Sequence, residues 1–503
     1  MADTTKPPPL SPFSPLPHPP TKLNPAGGYK SSDLPPLVKD ESPKVLIVGA
    51  GLAGLYLGLL LETAGIPYEI FERVAEIKPL GGVMALSGNI LCSFEQMGIF
   101  DELVRVSKPA YDATYYSAEL KKTAHICVQD EVTGYKRLLF ARPELYNLLF
   151  NKIPTHKIHM SKKVLSFQQN HEGVMLRFSD NTTVHRDILV GADGAHSGVR
   201  KHLYKTLDEQ GLLPKGDTKN MNKGYMSFVG TTLPLDPNEE RYKDLAAEGS
   251  RCSFHIGDNS MPFAWMTYTI PGNRICWNVV IQLKLADIDE EQFRQSDWAP
   301  ETNVKILDQI REFKTTYGPL GDIVDATPRE RISKVFFEDM LFETWTHGRT
   351  VLIGDAAHKI LPSTGQGAVN AMIDSVVLAN CLYDIKPTSY ENIKAALGDY
   401  REQRFENVKA QYAHSHRNAK LSYGHTLWER IFRYMILNWL PQSVMVKQIV
   451  KDSAYRPQSN FLPQAPQRGR GLVISQKPST RLQKEREEEE KKAERVTISA
   501  VAL

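Results

Sequence analysis

The chain has 503 residues, 41% hydrophobic and 24% charged, which is enough apolar material for a large buried core and excludes a fibrous or wholly disordered chain. Its 61 basic and 58 acidic residues leave a net charge of +3, too weak a field to argue for a nucleic-acid partner. The five cysteines (Cys92, Cys127, Cys252, Cys276, Cys381) are odd in number and never spaced C-x-x-C, which reads as reduced thiols of a cytoplasmic-type compartment with no zinc site and no disulfide framework.

Residues 1–43 carry twelve of the 32 prolines, in runs such as Pro7-Pro8-Pro9. Proline fixes φ and removes backbone donors, so an extended, disordered arm is expected, and no basic head followed by an apolar run marks a secretory signal. The chain then turns α/β. Lys44–Val48 reads as a buried strand, Leu52–Ala64 as a helix and Tyr68–Phe71 as a second strand. Between the first strand and the helix lies Gly49-Ala-Gly51-Leu-Ala-Gly54. In such a turn the first glycine allows the bend, the second lets backbone approach a pyrophosphate, and the third lets helix sit on strand. The helix N-terminus then offers free N–H groups and a positive dipole end to the phosphates. Glu72 ends the second strand, where a carboxylate accepts from the ribose hydroxyls of an adenosine.

Asp187-Ile-Leu-Val-Gly-Ala-Asp193-Gly-Ala-His-Ser-Gly-Val-Arg200 follows, the ILV again a strand. The runs at 229–233 and 253–285 are β-rich and predict an antiparallel sheet domain, over 201–329, inserted between the halves of a nucleotide fold (44–200 and 330–390). After the strand TVLI comes Gly354-Asp355-Ala-Ala-His358-Lys-Ile-Leu-Pro362-Ser-Thr-Gly365-Gln-Gly367-Ala368. A carboxylate at this strand end can hold ribityl hydroxyls, and the glycine turn opens a helix whose dipole favours the negative edge of a reduced flavin. His358 has no ligand partner at helical spacing and is not read as a metal site.

Residues 391–465 form a helical region. Within it, 427–440 (LWERIFRYMILNWL) falls short of the ~20 residues a membrane span requires, so a core or groove-lining helix is expected, with an interfacial helix as the second reading. Residues 466–503 end in RLQKEREEEEKKAER and read as a disordered charged tail or a short single helix.

These three motifs, in this order, resemble the aromatic-hydroxylase type (group A) of FAD-dependent monooxygenases. The segments FERVAEIKPLGG, FARPELYNLL, FVGTTLP, RICWNVVIQL and FETWTHGRTVLIGDAAHKILPSTGQG are similar to the fungal FAD monooxygenases and epoxidases of meroterpenoid and indole-diterpene biosynthesis. The resemblance covers roughly residues 44–465. It implies an α/β, FAD-binding Rossmann-like (GR2-type) fold with an inserted antiparallel β-sheet substrate domain and C-terminal helices. It also implies FAD contacts at Gly49, Gly51, Gly54, Glu72, Gly82, Ala85, Arg142, Asp193, Asp355, Gly365, Gly367 and Ala368, and candidate catalytic residues at Arg200 and Tyr225. The expected chemistry is reduction of FAD by transiently bound NAD(P)H, addition of O2 to give a flavin C4a-hydroperoxide, and oxygen transfer to a small hydrophobic, aromatic or terpenoid substrate. A reductase or dehydrogenase of the same fold is the alternative. The chain departs from the family at Val369-Asn370, Ile373-Asp374 and Gly88-Asn89. The expected partners are a small-molecule substrate, no nucleic acid and a weak contact with a membrane surface.

Overall fold

The computed structural model describes residues 42–77, 82–127, 132–257, 263–283, 304–423, 427–439 and 442–501. The proline-rich arm at 1–41 and the end of the 427–440 stretch lie outside them. In chain order the elements that build the site are β1 (Val45–Val48), α1 (Leu52–Thr63), β2 (Tyr68–Phe71), β3 (Val83–Leu86), α2 (Gly88–Gln96), β4 (Asp112–Ser117), β5 (Lys122–Cys127), β6 (Arg137–Ala141), α3 (Arg142–Phe150), β7 (Ile188–Gly191), α4 (Gly198–Glu209), β8 (Asn222–Thr231), β9 (Cys252–Ile256), β10 (Phe263–Ile270), β11 (Arg274–Gln282), β12 (Ser333–Leu341), β13 (Thr350–Leu352), α5 (Gly367–Tyr383), α6 (Tyr390–Tyr423), α7 (Leu427–Trp439), α8 (Gln442–Ser453) and α9 (Thr480–Val501).

β1 is VLIV with every residue buried, the pattern of a strand covered on both faces. It pairs in parallel with β2 and β7, and β7 with β13. Short strands at Ile158–His159 and Thr346–His347 complete six. α1 packs between this sheet and α5, and is buried almost all round, from Leu52 to Leu61. The expected α/β nucleotide fold is therefore present.

The second body is an eight-stranded sheet in the order His358–Lys359, β12, β8, β11, β10, β9, β4, β5. All its neighbours run antiparallel except β9 and β4, which pair in parallel with Ser253 opposite Thr114. The sheet thus reaches beyond the expected 201–329 on both sides, taking β4 and β5 from before it and β12 from after it. Local pattern does not reveal this, because β4 belongs here only through a partner 139 residues away.

The C-terminal part also departs from a disordered tail. Residues 466–479 run along the nucleotide-binding body. Gly471 N donates to Val132 O at 2.8 Å, Ile474 N to Ala454 O at 2.9 Å, and Arg468 pairs with Glu95 at 2.6 Å. Gly469 has φ +75°, and a Cβ there would stand 2.5 Å from Gly134 N. Asp384 then accepts from Thr480 N at 2.9 Å and caps the start of α9. Apolar periodicity does not announce this docking, because backbone and polar groups make it.

Candidate active site

The three motifs converge on one cleft at the C-terminal ends of β1, β7 and β13, where open α/β sheets bind their ligands. Gly49 has φ +109°, and a Cβ on it would meet Ala192 O at 2.4 Å. A Cβ on Gly54 would meet Gly49 O at 2.0 Å. Gly51 faces open space instead, with no protein atom within 4 Å of its Cβ position. No side chain caps the first turn of α1, so its N–H groups stay open to an anion. Glu72 accepts from Ala50 N at 2.9 Å and Val74 N at 3.1 Å, which fixes the carboxylate at the rim with lone pairs to spare.

Arg142 and Tyr146 stand one turn apart on α3, on the wall joining Glu72 to Asp355. Arg142 keeps solvent-accessible surface, yet desolvation draws its pKa down against the charge of Asp355. That combination is the mark of a cleft wall. The Tyr146 hydroxyl is buried with no hydrogen-bond partner among the described residues. Burial, then the charge of Glu72, pushes its pKa up to about 12. Sequence reasoning missed Tyr146, and its only signal was its place four residues after Arg142 in RPELYNLL.

Gly354 turns at φ +59°, and its N–H donates to Asp374 at 2.8 Å. Asp374 is fully buried and also holds His358 at 2.6 Å and Arg404 at 2.8 Å. Burial raises its pKa, but His358 and Arg404 outweigh that and hold it below the usual carboxylate range. His358 thus spends its Nε2 on a structural hydrogen bond. Asp355, beside Gly354, is half-exposed and paired with Lys359. Gly365 turns at φ +67° and Gly367 opens α5 facing open space. Ala368 follows on the same first turn, and Asn89 reaches Gln366 at 3.4 Å. Asn370 points inward to Arg404 at 3.0 Å, so the departures at Val369-Asn370 and Ile373-Asp374 fall on the core side of α5, whereas Gly88-Asn89 opens α2.

Gly82 lies next to Val229, 3.4 Å from its Cβ position, and Ala85 belongs to β3, paired with Leu139. Asp193 accepts from Ser197 at 2.5 Å, Gly198 N at 2.7 Å and Val199 N at 3.1 Å. Its carboxylate therefore organises the start of α4, while its backbone packs under Gly49. Arg200 is buried. It donates to Ala356 O at 2.9 Å and Ala195 O at 2.5 Å, and it lies 4.0 Å over Phe342. Its guanidinium ties the second motif to the third. Tyr225, on β8, is 8% exposed and meets Tyr423 edge-on at 5.6 Å. Burial, then Glu429 and Asp339, pushes its hydroxyl up to about 12.

This donor set fits a flavin adenine dinucleotide. The open flanks at Gly51 and Gly367 admit phosphates and ring, and the unpartnered Tyr146 hydroxyl and the Asp355 carboxylate suit sugar and ribityl oxygens. The family model described as "FAD binding domain" matches residues 42–244 and 276–412. FAD-dependent monooxygenase ausM of Emericella nidulans is 27% identical over 455 residues, covering 85% of this chain and 88% of that protein. Aurachin C monooxygenase/isomerase of Stigmatella aurantiaca is 25% identical, covering 77% and 91%. Among solved structures, Klebsiella pneumoniae HpxO complexed with FAD and uric acid superposes with a TM-score of 0.67 at 20% identity, over 82% of this chain and 97% of that one. 2,6-Dihydroxypyridine-3-hydroxylase from Arthrobacter nicotinovorans gives 0.63 at 17%, over 87% and 100%. With two thirds of its length matched by one model, the chain belongs to the FAD binding domain family and is an FAD-dependent monooxygenase.

Proposed function

We propose that this monooxygenase consumes NAD(P)H and O2 to hydroxylate or epoxidise a small hydrophobic, aromatic or terpenoid substrate. The observation that carries the reading is the face of the eight-stranded sheet opposite the Pro362–Gly367 turn. There Tyr225, Met266 and Phe337 pack together with Leu361 and Tyr423, flanked by Phe254 and Tyr268, so the turn that opens α5 faces an aromatic wall. Bound FAD supplies two-electron chemistry, taking a hydride from NAD(P)H and activating O2 so that one oxygen atom reaches the substrate and the other leaves as water. The protein does the rest. Gly49, Gly51 and Gly54 admit the pyrophosphate to the α1 N-terminus, Glu72 and Tyr146 meet the adenosine side, and Arg142 and Asp355 hold the ribityl chain. The α5 N-terminus stabilises negative charge on the reduced ring. Arg200 positions the Gly354 turn, and Tyr225, neutral at working pH, orients substrate or donates a proton. The aromatic wall excludes water from the reacting centre.

The test is product formation under 18O2 with NADH or NADPH and a panel of phenolic and terpenoid compounds. One labelled oxygen per product and one NAD(P)H per turnover is the expected result. Substrate oxidised or reduced with no label would instead identify a dehydrogenase or reductase of the same fold.

The proposal extends to a weak contact with a membrane surface through α7. No helix among the described residues is long and apolar enough to cross a membrane. Yet Trp428 and Trp439 are 78% and 70% exposed, and Ile431, Phe432 and Tyr434 also face outward. The stretch 413–453 holds Arg417, Lys420, Arg430, Lys447 and Lys451 besides the buried Arg433, against Glu429 and Asp452, a balance suited to an anionic lipid surface.

A further inference from the structure

Half-buried and buried arginines in this protein are almost all paired. Arg186 meets Glu69 at 2.9 Å, Arg349 donates to Asp187 O at 3.0 Å, Arg404 meets Asp374, and Arg456 donates to Val132 O at 3.2 Å. This is the ordinary state, since a guanidinium removed from water without acceptors is costly. Arg331, in the short turn before β12, is one exception among the described residues. Arg137 is the other. It begins β6 and is half-buried, with Nη2 3.6 Å from the Cβ position of Gly365. Among the described residues no carbonyl, carboxylate or hydroxyl accepts from it.

What surrounds Arg137 is equally unsatisfied. Tyr115 stacks on Phe254 at 5.0 Å, and Phe254 meets Tyr268 edge-on at 5.7 Å. Burial raises the phenols of Tyr115 and Tyr268, and the Arg137 charge opposes it in both. Both rings nevertheless keep accessible surface. Side chains deep enough to be desolvated yet still reachable belong to the wall of an internal chamber, not to a dry core. Tyr423 and Tyr225 continue that wall, each raised by burial and each near enough to a neighbouring phenol or acid to feel its charge. The hydroxyls of Tyr115, Tyr225, Tyr268 and Tyr423 have no hydrogen-bond partner among the described residues. The chamber therefore has one cationic end, beside the turn that faces the flavin, and an aromatic body studded with free hydroxyls.

We propose that Arg137 is the specificity-determining residue of the substrate chamber, capturing a carboxylate, phenolate or enolate oxygen of a substrate whose apolar body lies along Tyr115, Tyr268, Tyr423 and Tyr225. The inference rests on the monooxygenase reading for the location of the substrate, but its test reads binding and not turnover. A planar fork matches such an acceptor with two parallel donors, and water exclusion strengthens the pairing. A neutral analogue of the same shape loses both donors.

The experiment uses the FAD-loaded enzyme at pH 7.5 and two probes of equal shape, 2-naphthoate and 2-naphthalenemethanol, with the flavin absorbance change as readout. Wild-type protein is expected to bind the acid about tenfold or more tightly than the alcohol. In Arg137→Gln the two affinities should converge, with FAD content unchanged, while Arg137→Lys should keep part of the preference. Equal affinities in the wild type, or no response to 2-naphthoate, overturns the proposal. Loss of FAD from Arg137→Gln with retention in Arg137→Lys also overturns it, assigning the residue to the cofactor. If acid selectivity holds but no label from 18O2 enters any product, the monooxygenase reading alone has failed.

Discussion

Asp355 shows how much a motif says and how much it leaves to geometry. Its place at the end of β13 is readable from TVLIGD, but its pairing with Lys359 and its proximity to Arg142 are not. Replacing it by alanine removes a charge-assisted acceptor worth about 1.5–3 kcal/mol per bond. FAD should bind at least about tenfold more weakly in Asp355→Ala by titration of the apoprotein. Unchanged affinity would remove Asp355 from the cofactor site. Tyr225→Phe keeps the edge-on packing against Tyr423 and deletes only the hydroxyl. FAD content should stay, while product per NAD(P)H falls and H2O2 rises, by about 10²–10⁴-fold in product rate if the hydroxyl is a proton donor. Wild-type coupling in the variant would make Tyr225 a packing residue. Arg200 and Asp193 carry the opposite lesson. Both sit in a motif that marks the site, and both spend their side chains on backbone within it.

At the scale of elements, the C-terminal strap and α7 have surroundings that local pattern leaves open. Residues 466–479 follow the nucleotide-binding body, whereas α9 extends beyond them in a run of charges. Deleting 480–503 should therefore leave the melting temperature nearly unchanged. Deleting 466–503 should lower it, by roughly 2–4 °C for each kcal/mol lost. Equal effects of the two truncations would place the stabilising contacts in α9. For α7, a core or groove-lining helix was expected, yet its large side chains point outward on one side, while Arg433 on the other is buried and donates to Leu421 O at 3.1 Å. Changing Trp428, Phe432 and Trp439 together to serine should reduce co-sedimentation with phosphatidylserine-containing vesicles by roughly tenfold or more. If vesicle binding is absent in the wild type and the substitutions convert a dimer to a monomer, the face is covered by a second copy instead.

Across the whole molecule, buried histidines set a direction for pH dependence. His255 is fully buried, stacked on Trp265 at 5.5 Å and on Tyr116 at 5.3 Å, with neither ring nitrogen bonded. Desolvation draws its pKa down to about 4. His185 is likewise drawn to about 4, by burial and then by Arg186 and Arg349. Both are neutral in the fold but take up a proton near pH 6.5 when unfolded. The unfolded chain thus binds more protons below 6.5, so stability falls as pH drops from about 6.5 to about 4 and levels off below. In His255→Phe this loss should shrink by on the order of 2–3 kcal/mol at pH 4.5 relative to pH 8. Parallel stability curves for the variant and wild type across that range would show that His255 titrates normally in the fold.

The sequence by itself determined the cofactor and the body that holds it. A glycine turn between a buried strand and a helix, an acid at the next strand end and a Gly-Asp turn before a second glycine-opened helix are all local signals, each needing only neighbours within a few residues to act. The tertiary structure alone decided everything that depends on distant partners. β4 joins the substrate sheet through β9, Tyr146 becomes a cleft residue through Glu72, and Arg404 closes the Asp374 network from another helix. Arg137, at the start of β6, comes within 3.6 Å of the Cβ position of Gly365, more than two hundred residues away in sequence. Local pattern reports burial and periodicity, whereas the identity of a contact across a hundred residues is set by how sheets and helices pack, and no window of sequence contains it.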